Sequence, residues 1–324
     1  MTTVNAPADL LVIHSGAIGD VICALPGIRQ LSTGLIVDLC CQKHIFPAIR
    51  LCSEIRNVID INHSAITSVF VAAKNEHLKK WLSSYSIILL FSFSKDWENR
   101  FQKLHSEVYR IQPRPPQNFQ IHVSDFIIDS LVNNQLLSDK KSFKNEFILQ
   151  KKTKCYNNYR TSFSIIHPGS GSSFKNWPIE RFCELAIKLR HYGHMVKWIL
   201  GPAENNLSPI LFENHELEND VIQLFQLETV IDLFELSDCY IGNDSGISHL
   251  AAFLGLNSTI IFGPSDPRRW KPMGTHVKAI PEIPSCPPCF ELDNRNCSHR
   301  NCLNNISVED VLNLIFLQKG TRQS

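Results

Sequence analysis

The stretch Asn243-Asp244-Ser245-Gly246-Ile247-Ser248-His249-Leu250-Ala251-Ala252 gathers a carboxylate, hydroxyls and an imidazole where an apolar run gives way to a new segment. The run Cys239-Tyr240-Ile241 reads as a strand ending at Gly242. Small polar residues then turn the chain, and a helix begins near Gly246. A helix N-terminus carries unpaired N–H groups and a partial positive charge, so it favours phosphate. A helix start built for stability needs one cap residue. Asp244, Ser245, Gly246 and His249 together point to a seat for a phosphorylated ligand.

Three more segments of the second half carry groups of this kind. His167-Pro168-Gly169-Ser170-Gly171-Ser172-Ser173-Phe174-Lys175-Asn176-Trp177-Pro178 offers N–H and hydroxyl donors beside one lysine. It lacks the Gly-Lys-Ser/Thr ending of a Walker loop but suits phosphate oxygens, with Gly169, Ser170 and Lys175 as candidate contacts. Glu204, in Gly201-Pro202-Ala203-Glu204, either caps the next helix or binds ribose hydroxyls, as acids after a strand do in nucleotide sites. Phe262-Gly263-Pro264-Ser265-Asp266-Pro267-Arg268-Arg269-Trp270 is a stiffened turn with two arginines. In the first half, Ser15-Gly16-Ala17-Ile18-Gly19-Asp20-Val21 is not a dinucleotide fingerprint. There Asp20 either complements a helix start or acts as a general base for a hydroxyl.

Alternating short apolar runs and amphipathic stretches must position these groups. Strands are expected at Leu10–His14, Leu35–Cys40, Val58–Ile61, Ile87–Phe91, Phe163–His167, Met195–Leu200, Val221–Leu224, Cys239–Gly242 and Ser258–Phe262. Helices are expected at Val21–Leu31, Ala65–Leu82, His122–Leu136, Pro178–Tyr192, Thr229–Leu236, Gly246–Leu254 and Val308–Leu317, the last with Ser307 as its cap. Alternation implies parallel sheets covered on both faces, so loops 168–177, 201–204, 242–249 and 263–270 converge on one rim. The basic stretch Lys140–Arg160 marks a boundary near residue 155, either as a solvated connection or as a surface for anionic lipid or substrate.

The 324 residues suffice for two domains, and a formal net charge of +1 argues against bulk nucleic-acid binding. No apolar run approaches a membrane span of about 20 residues, and Met1–Asp9 lacks the regions of a signal peptide. Seven of eleven cysteines are scattered through apolar segments, which suits free thiols in a reducing cytosol. The other four, Cys286, Cys289, Cys297 and Cys302, have the density of a small metal knuckle, with zinc the default and iron a second choice. Free thiols or disulfides are the alternatives.

In order along the chain these motifs resemble glycosyltransferase family 9, the bacterial lipopolysaccharide heptosyltransferases. The resemblance is carried by Gly19-Asp20-Val21 with Leu25-Pro26, by His167 to Pro178, by Asp244 to Ala252 and by Phe262 to Pro267. Cys286-Pro287-Pro288-Cys289-Phe290 looks like the heptosyltransferase II branch. The resemblance spans about residues 10 to 315 and implies an α/β GT-B fold: two Rossmann-like parallel-sheet domains facing each other across a cleft. Residues 1–155 would bind the acceptor and 156–306 the nucleotide sugar, with the helix within 307–324 returning to the first domain.

The same resemblance implies inverting heptosyl transfer from ADP-heptose to a lipid-linked lipopolysaccharide inner-core acceptor. The enzyme would be cytoplasmic, in peripheral contact with the inner membrane, with no cofactor needed for the chemistry. Asp20 would be the base. Lys175 and the Asp244–Gly246 helix start would hold the departing diphosphate, joined by Ser170, while Glu204 would take the ribose and His249 support the turn. Phe225 or Leu227 would wall the adenine. The chain departs from the pattern at His14, where many relatives carry a basic residue, and at Gly16-Ala17, where many carry two serines. A protein acceptor, or a silent nucleotide-sugar-binding protein, are the competing readings, and the presence of Asp20 counts against the second.

Overall fold

The computed structural model describes residues 8–70, 76–117, 119–139, 149, 162–204, 221–223, 226–284, 286–290 and 297–320. The chain divides into two compact units. The first comprises Met1–Pro116 with Val123–Phe143, and the second Gln117–His122 with Lys144–Ser324. The basic stretch 140–160 lies, apart from Leu149, outside the described residues.

In the first unit, β1 (Ala8–His14), β2 (Leu35–Cys41), β3 (Ile55–Asp60), β4 (Ile87–Phe91) and β5 (Val108–Ile111) form a parallel sheet in the order β3-β2-β1-β4-β5. The central strands are apolar on both faces, as burial on both faces requires. Helix Ile18–Ser32 follows β1 and packs against helix Val123–Asn133. Gly27 makes that approach close: a Cβ there would stand 2.8 Å from Leu131 Cδ1. Asp38, buried within β2, is held by Arg56 through two contacts of 2.8 Å, by the Tyr85 hydroxyl at 2.8 Å and by Asn57 at 3.1 Å.

The second unit has six parallel strands: β6 (Phe163–His167), β7 (Met195–Leu200), β8 (Val221–Gln223), β9 (Cys239–Asn243), β10 (Asn257–Ile261) and β11 (Val277–Ile280). Their order, β11-β10-β9-β6-β7-β8, is the full doubly wound pattern, and the first unit shows its first five positions. One core layer joins Trp177, Phe182, Leu185 and Trp198 to Val308, Val311, Leu312 and Ile315 of the terminal helix Val308–Gly320. The family resemblance implies that this helix returns to the first domain. Within the second unit it packs on helix Ile179–His191 and β10. Its start is capped as the sequence predicts: Ser307 Oγ accepts the Asp310 N–H at 3.1 Å, and Asp310 accepts the Ser307 N–H at 3.0 Å.

The parallel α/β architecture is the expected one. Strands β5 and β11 and helix Lys95–Gln102 are additions to the elements expected from sequence, and the expected helix Ala65–Leu82 is present as Ser64–Ser68 and Glu76–Leu82. Residues 117–122 belong to the second unit because Arg269, itself buried, donates to the carbonyls of Gln117 and Phe119.

Candidate active site

In an open parallel sheet, ligands bind outside the carboxyl ends of the strands where the winding direction reverses. In the second unit that point lies between β6 and β9. Loop 168–177 leaves β6, and Asp244-Ser245 leaves β9. Loops 201–204 and 262–267 leave the adjacent β7 and β10. All four strands are parallel, so the four loops stand on one rim, as the sequence implies.

Asn243 ties two of these loops together. Its side chain is fully buried, donates to the Pro168 carbonyl at 2.7 Å and accepts the Trp177 N–H at 2.9 Å. Ser245 is the N-cap of helix Gly246–Phe253 and accepts the Ser248 N–H at 3.2 Å. Ser248 Oγ donates to the Asn243 carbonyl at 2.5 Å. The turn is thus fixed without using the N–H groups of Gly246 and Ile247, which in a first helical turn have no intrahelical acceptor.

Lys175 Nζ reaches Asp244 Oδ2 at 3.0 Å, and both side chains are largely buried. Ser265 donates to the same carboxylate oxygen at 2.7 Å. The lysine also lies 5.2 Å from the centre of the Phe290 ring. Arg300 donates to the Asn176 carbonyl at 2.6 Å, so residues within the cysteine segment brace the lysine loop. Ser170 shares its hydroxyl hydrogen between the Ser172 carbonyl and Asn176 Oδ1, each at 2.6 Å, so it closes the loop.

Glu204 is buried and accepts the Gly201 N–H at 2.8 Å, with His167 Nε2 3.9 Å away. Burial alone would raise its carboxyl, but His167 and the backbone N–H groups outweigh it and hold the group below its ordinary value. A methyl group at Gly169 would overlap this carboxylate, which explains the glycine. His249 is buried, and desolvation pushes it down to about 4, so the imidazole is neutral at physiological pH. Asp266 caps helix Pro267–Trp270 and is paired with Arg268, which together with the buried Arg269 accounts for both arginines structurally. Leu227 opens helix Leu227–Leu236, whereas Phe225 lies outside the described residues.

In the first unit the corresponding reversal lies between β1 and β4, and the turn after β1 carries Asp20. Asp20 Oδ2 accepts the Ala17 N–H at 3.3 Å at the start of its helix. His14 Nδ1 accepts the Gly16 N–H at 3.1 Å. Burial pushes His14 down to about 4, so it supplies no positive charge at the position where the family pattern leads one to expect a basic residue.

The four clustered cysteines are free, as are the other described cysteines. Burial pushes the Cys302 thiol up to about 11, with Cys286, Cys289 and Cys297 adding to the rise. Four such thiols suit zinc or iron as donors, although among the described residues no three His, Cys, Asp or Glu side chains are gathered around a common point. Asn243, Ser265 and Arg300 hold these loops in shape and are residues that the sequence reading passes over. Asn243 begins the decapeptide and was within reach, whereas the other two act through contacts that only the fold creates.

A profile of glycosyltransferase family 9 (heptosyltransferase) matches residues 91–299, more than half of the chain. Lipooligosaccharide heptosyltransferase 2 of Campylobacter jejuni subsp. jejuni serotype O:2 is 24% identical over 181 residues. That alignment covers 53% of each protein, so the chain spans about half the length of this curated relative. Among solved structures, a family 9 glycosyl transferase from Veillonella parvula DSM 2008 aligns with a TM-score of 0.73 at 17% identity, covering 96% of this chain and 97% of that one. E. coli ADP-heptose lps heptosyltransferase II aligns with a TM-score of 0.69 at 17% identity over 98% and 100%. The iron-containing dodecameric glycosyltransferase TibC of enterotoxigenic E. coli H10407 aligns at 0.62 with 11% identity over 98% and 77%. These likenesses support the GT-B fold, and with the profile match the chain belongs to glycosyltransferase family 9.

Proposed function

We propose that this protein transfers heptose from ADP-L-glycero-D-manno-heptose to the inner core of lipopolysaccharide, with inversion at the anomeric carbon. The observation that carries the reading is the pair Lys175 and Asp244 beside the open start of helix Gly246–Phe253, at the switch point of a doubly wound sheet. Such a rim is suited to a nucleoside diphosphate. Asp20, on the turn after β1, takes the proton of the acceptor hydroxyl as its oxygen attacks the anomeric carbon. The bond from that carbon to the diphosphate breaks, and the electron pair leaves on ADP. Lys175 and the N–H groups of Gly246 and Ile247 take up the charge that develops there, which favours the transition state over the ground state. Glu204 accepts the ribose hydroxyls, and Ser170 keeps the lysine loop in shape. Neutral His249 supports the turn without competing for the diphosphate.

A lipid-linked acceptor brings the protein to a membrane surface; among the described residues no helix is long and apolar enough to cross one. For the cysteine segment we retain a structural zinc or iron ion held by Cys286, Cys289, Cys297 and Cys302, supported by the donor set and by the iron-containing TibC. Thiolates repel one another, and a bound cation removes that cost. Bound metal in the native protein, lost in Cys286→Ser, is the expected result, and metal-free native protein would overturn it. The catalytic reading is tested by supplying ADP-heptose with truncated lipopolysaccharides ending in Kdo, one heptose or two. Turnover on at least one is expected, and turnover on none would refute it.

A further inference from the structure

Under the rim of the second unit, a chain of polar side chains runs from Glu204 to the cap of helix Gly246–Phe253. Its members, Glu204, His167, Tyr240, Ser248 and Ser245, are all buried and so sealed from bulk water. His167 ends β6 and stands in register with Gly242 of β9. Tyr240 and Gly242 share one face of β9, so the phenol lies along the strand over the glycine. A methyl group at Gly242 would overlap the Tyr240 hydroxyl, so the glycine keeps this path open.

The hydrogens along the chain follow from its closed end. Ser248 Oγ gives its one hydrogen to the Asn243 carbonyl at 2.5 Å, so it only accepts from its other neighbours. Those are Ser245 Oγ and Tyr240 Oη, each at 3.0 Å. The phenol hydrogen is spent on Ser248, and its oxygen accepts from His167 Nδ1 at 3.3 Å. Burial pushes the phenol well above its ordinary pKa, so it stays protonated and keeps this direction. The imidazole therefore carries a hydrogen on Nδ1, and its Nε2 faces Glu204 Oε2 at 3.9 Å. A second hydrogen, on Nε2, makes that contact an ion pair, the state in which His167 lowers the Glu204 carboxyl.

We infer that His167 is a positioning residue for the nucleotide: through Tyr240 and Ser248 it locks the carboxylate proposed for the ribose to the helix cap proposed for the diphosphate. The inference rests on the reading of this rim as a nucleotide-sugar site, and it adds a coupling between the two halves of that site. Ribose hydroxyls on Glu204 and a diphosphate on Gly246 and Ile247 meet one hydrogen-bonded frame rather than two independent loops. His167 and Tyr240 act through Glu204 and Ser248, beneath the ligand.

Calorimetric titration of ADP and of 2′,3′-dideoxy-ADP into the intact protein separates this inference from that reading. The native protein should bind the dideoxy nucleotide about tenfold more weakly, because Glu204 loses its ribose partners. Tyr240→Phe keeps the ring and breaks the chain. It should shrink that ratio to about threefold or less, since ADP binding falls more than dideoxy-ADP binding. A merely structural role would weaken both nucleotides alike. A native ratio in folded Tyr240→Phe would thus overturn the inference while the donor-site reading stands, and equal affinity of the native protein for both nucleotides would overturn it too. Failure of the native protein to bind ADP would refute the donor-site reading and the inference with it. Nitrogen NMR of the imidazoles in the native protein gives a check that needs no variant. His167 should show a hydrogen on Nδ1, and a bare Nδ1 would overturn the chain.

Discussion

Lys175 Nζ and Asp244 Oδ2 stand 3.0 Å apart, although 69 residues separate them, because β6 and β9 are neighbours across the switch point. The ion pair, with Ser265 on the same oxygen, holds the ammonium at the rim of the sheet. On the proposed reading this preorganises the donor site electrostatically, with the lysine carrying only partly neutralised charge towards an incoming anion.

Removing that charge should weaken the transition state more than the ground state. Lys175→Ala is expected to lower kcat by about 10²–10³-fold, the range for losing one preorganised donor. The KM for ADP-heptose should rise less. Steady-state kinetics with both substrates varied would check this, and an unchanged kcat would remove Lys175 from the departing diphosphate.

Asn243 fastens the lysine loop to the helix start, and its loss leaves the Pro168 carbonyl and Trp177 N–H without their partner. Asn243→Ala should cost about 1–3 kcal/mol of stability, read by urea unfolding, and should weaken ADP binding as well. Gly169→Ala should also weaken ADP binding, because the new methyl displaces Glu204. Wild-type affinity in both variants would contradict the described loop geometry.

His14 and His249 both titrate at about 4 in the folded protein against 6.5 for the free side chain. Between these values the unfolded chain binds protons that the folded protein excludes, so stability falls as pH drops from 6.5 towards 4. Each histidine contributes on the order of 3 kcal/mol to that fall. Melting temperature should decline across this window, and less steeply in His249→Gln. A flat profile would show that these imidazoles are not buried and neutral.

Asp38 gives a second, more acidic signal. Burial tends to raise its carboxyl, but hydrogen bonds from Arg56, Tyr85 and Asn57 win and hold it below its ordinary value. Its stabilisation is present above the unfolded carboxyl pKa of about 3.9 and is lost as pH falls through the depressed folded value. Asp38→Asn should lower the melting temperature at pH 7 and narrow the gap to wild type in strong acid.

The strands next to the site were legible because they are short, apolar on both faces and followed by glycine and polar residues, as at Phe163–His167 and Cys239–Asn243. The edge strands Val108–Ile111 and Val277–Ile280 were not, since four residues of mixed burial leave no periodicity to read. Asp38 within an apolar strand gave no sign of its partners, because Arg56 and Tyr85 meet it only through strand pairing and packing. Lys175 and Asp244 were recognisable as phosphate-binding types, whereas their pairing required the strand order. The apolar face of the last helix was legible in the sequence, whereas its partners in the second unit required the fold. Val308, Val311, Leu312 and Ile315 complement Trp177 and Phe182 of the second unit.

The division of labour between Asp20 and the diphosphate rim is tested by running wild type and Asp20→Asn side by side. ADP release and acceptor mass would be followed, and ADP affinity measured calorimetrically. The account predicts that the wild type adds one heptose to its acceptor, and that the variant binds ADP as tightly yet transfers nothing measurable. Transfer by Asp20→Asn at the wild-type rate would contradict it.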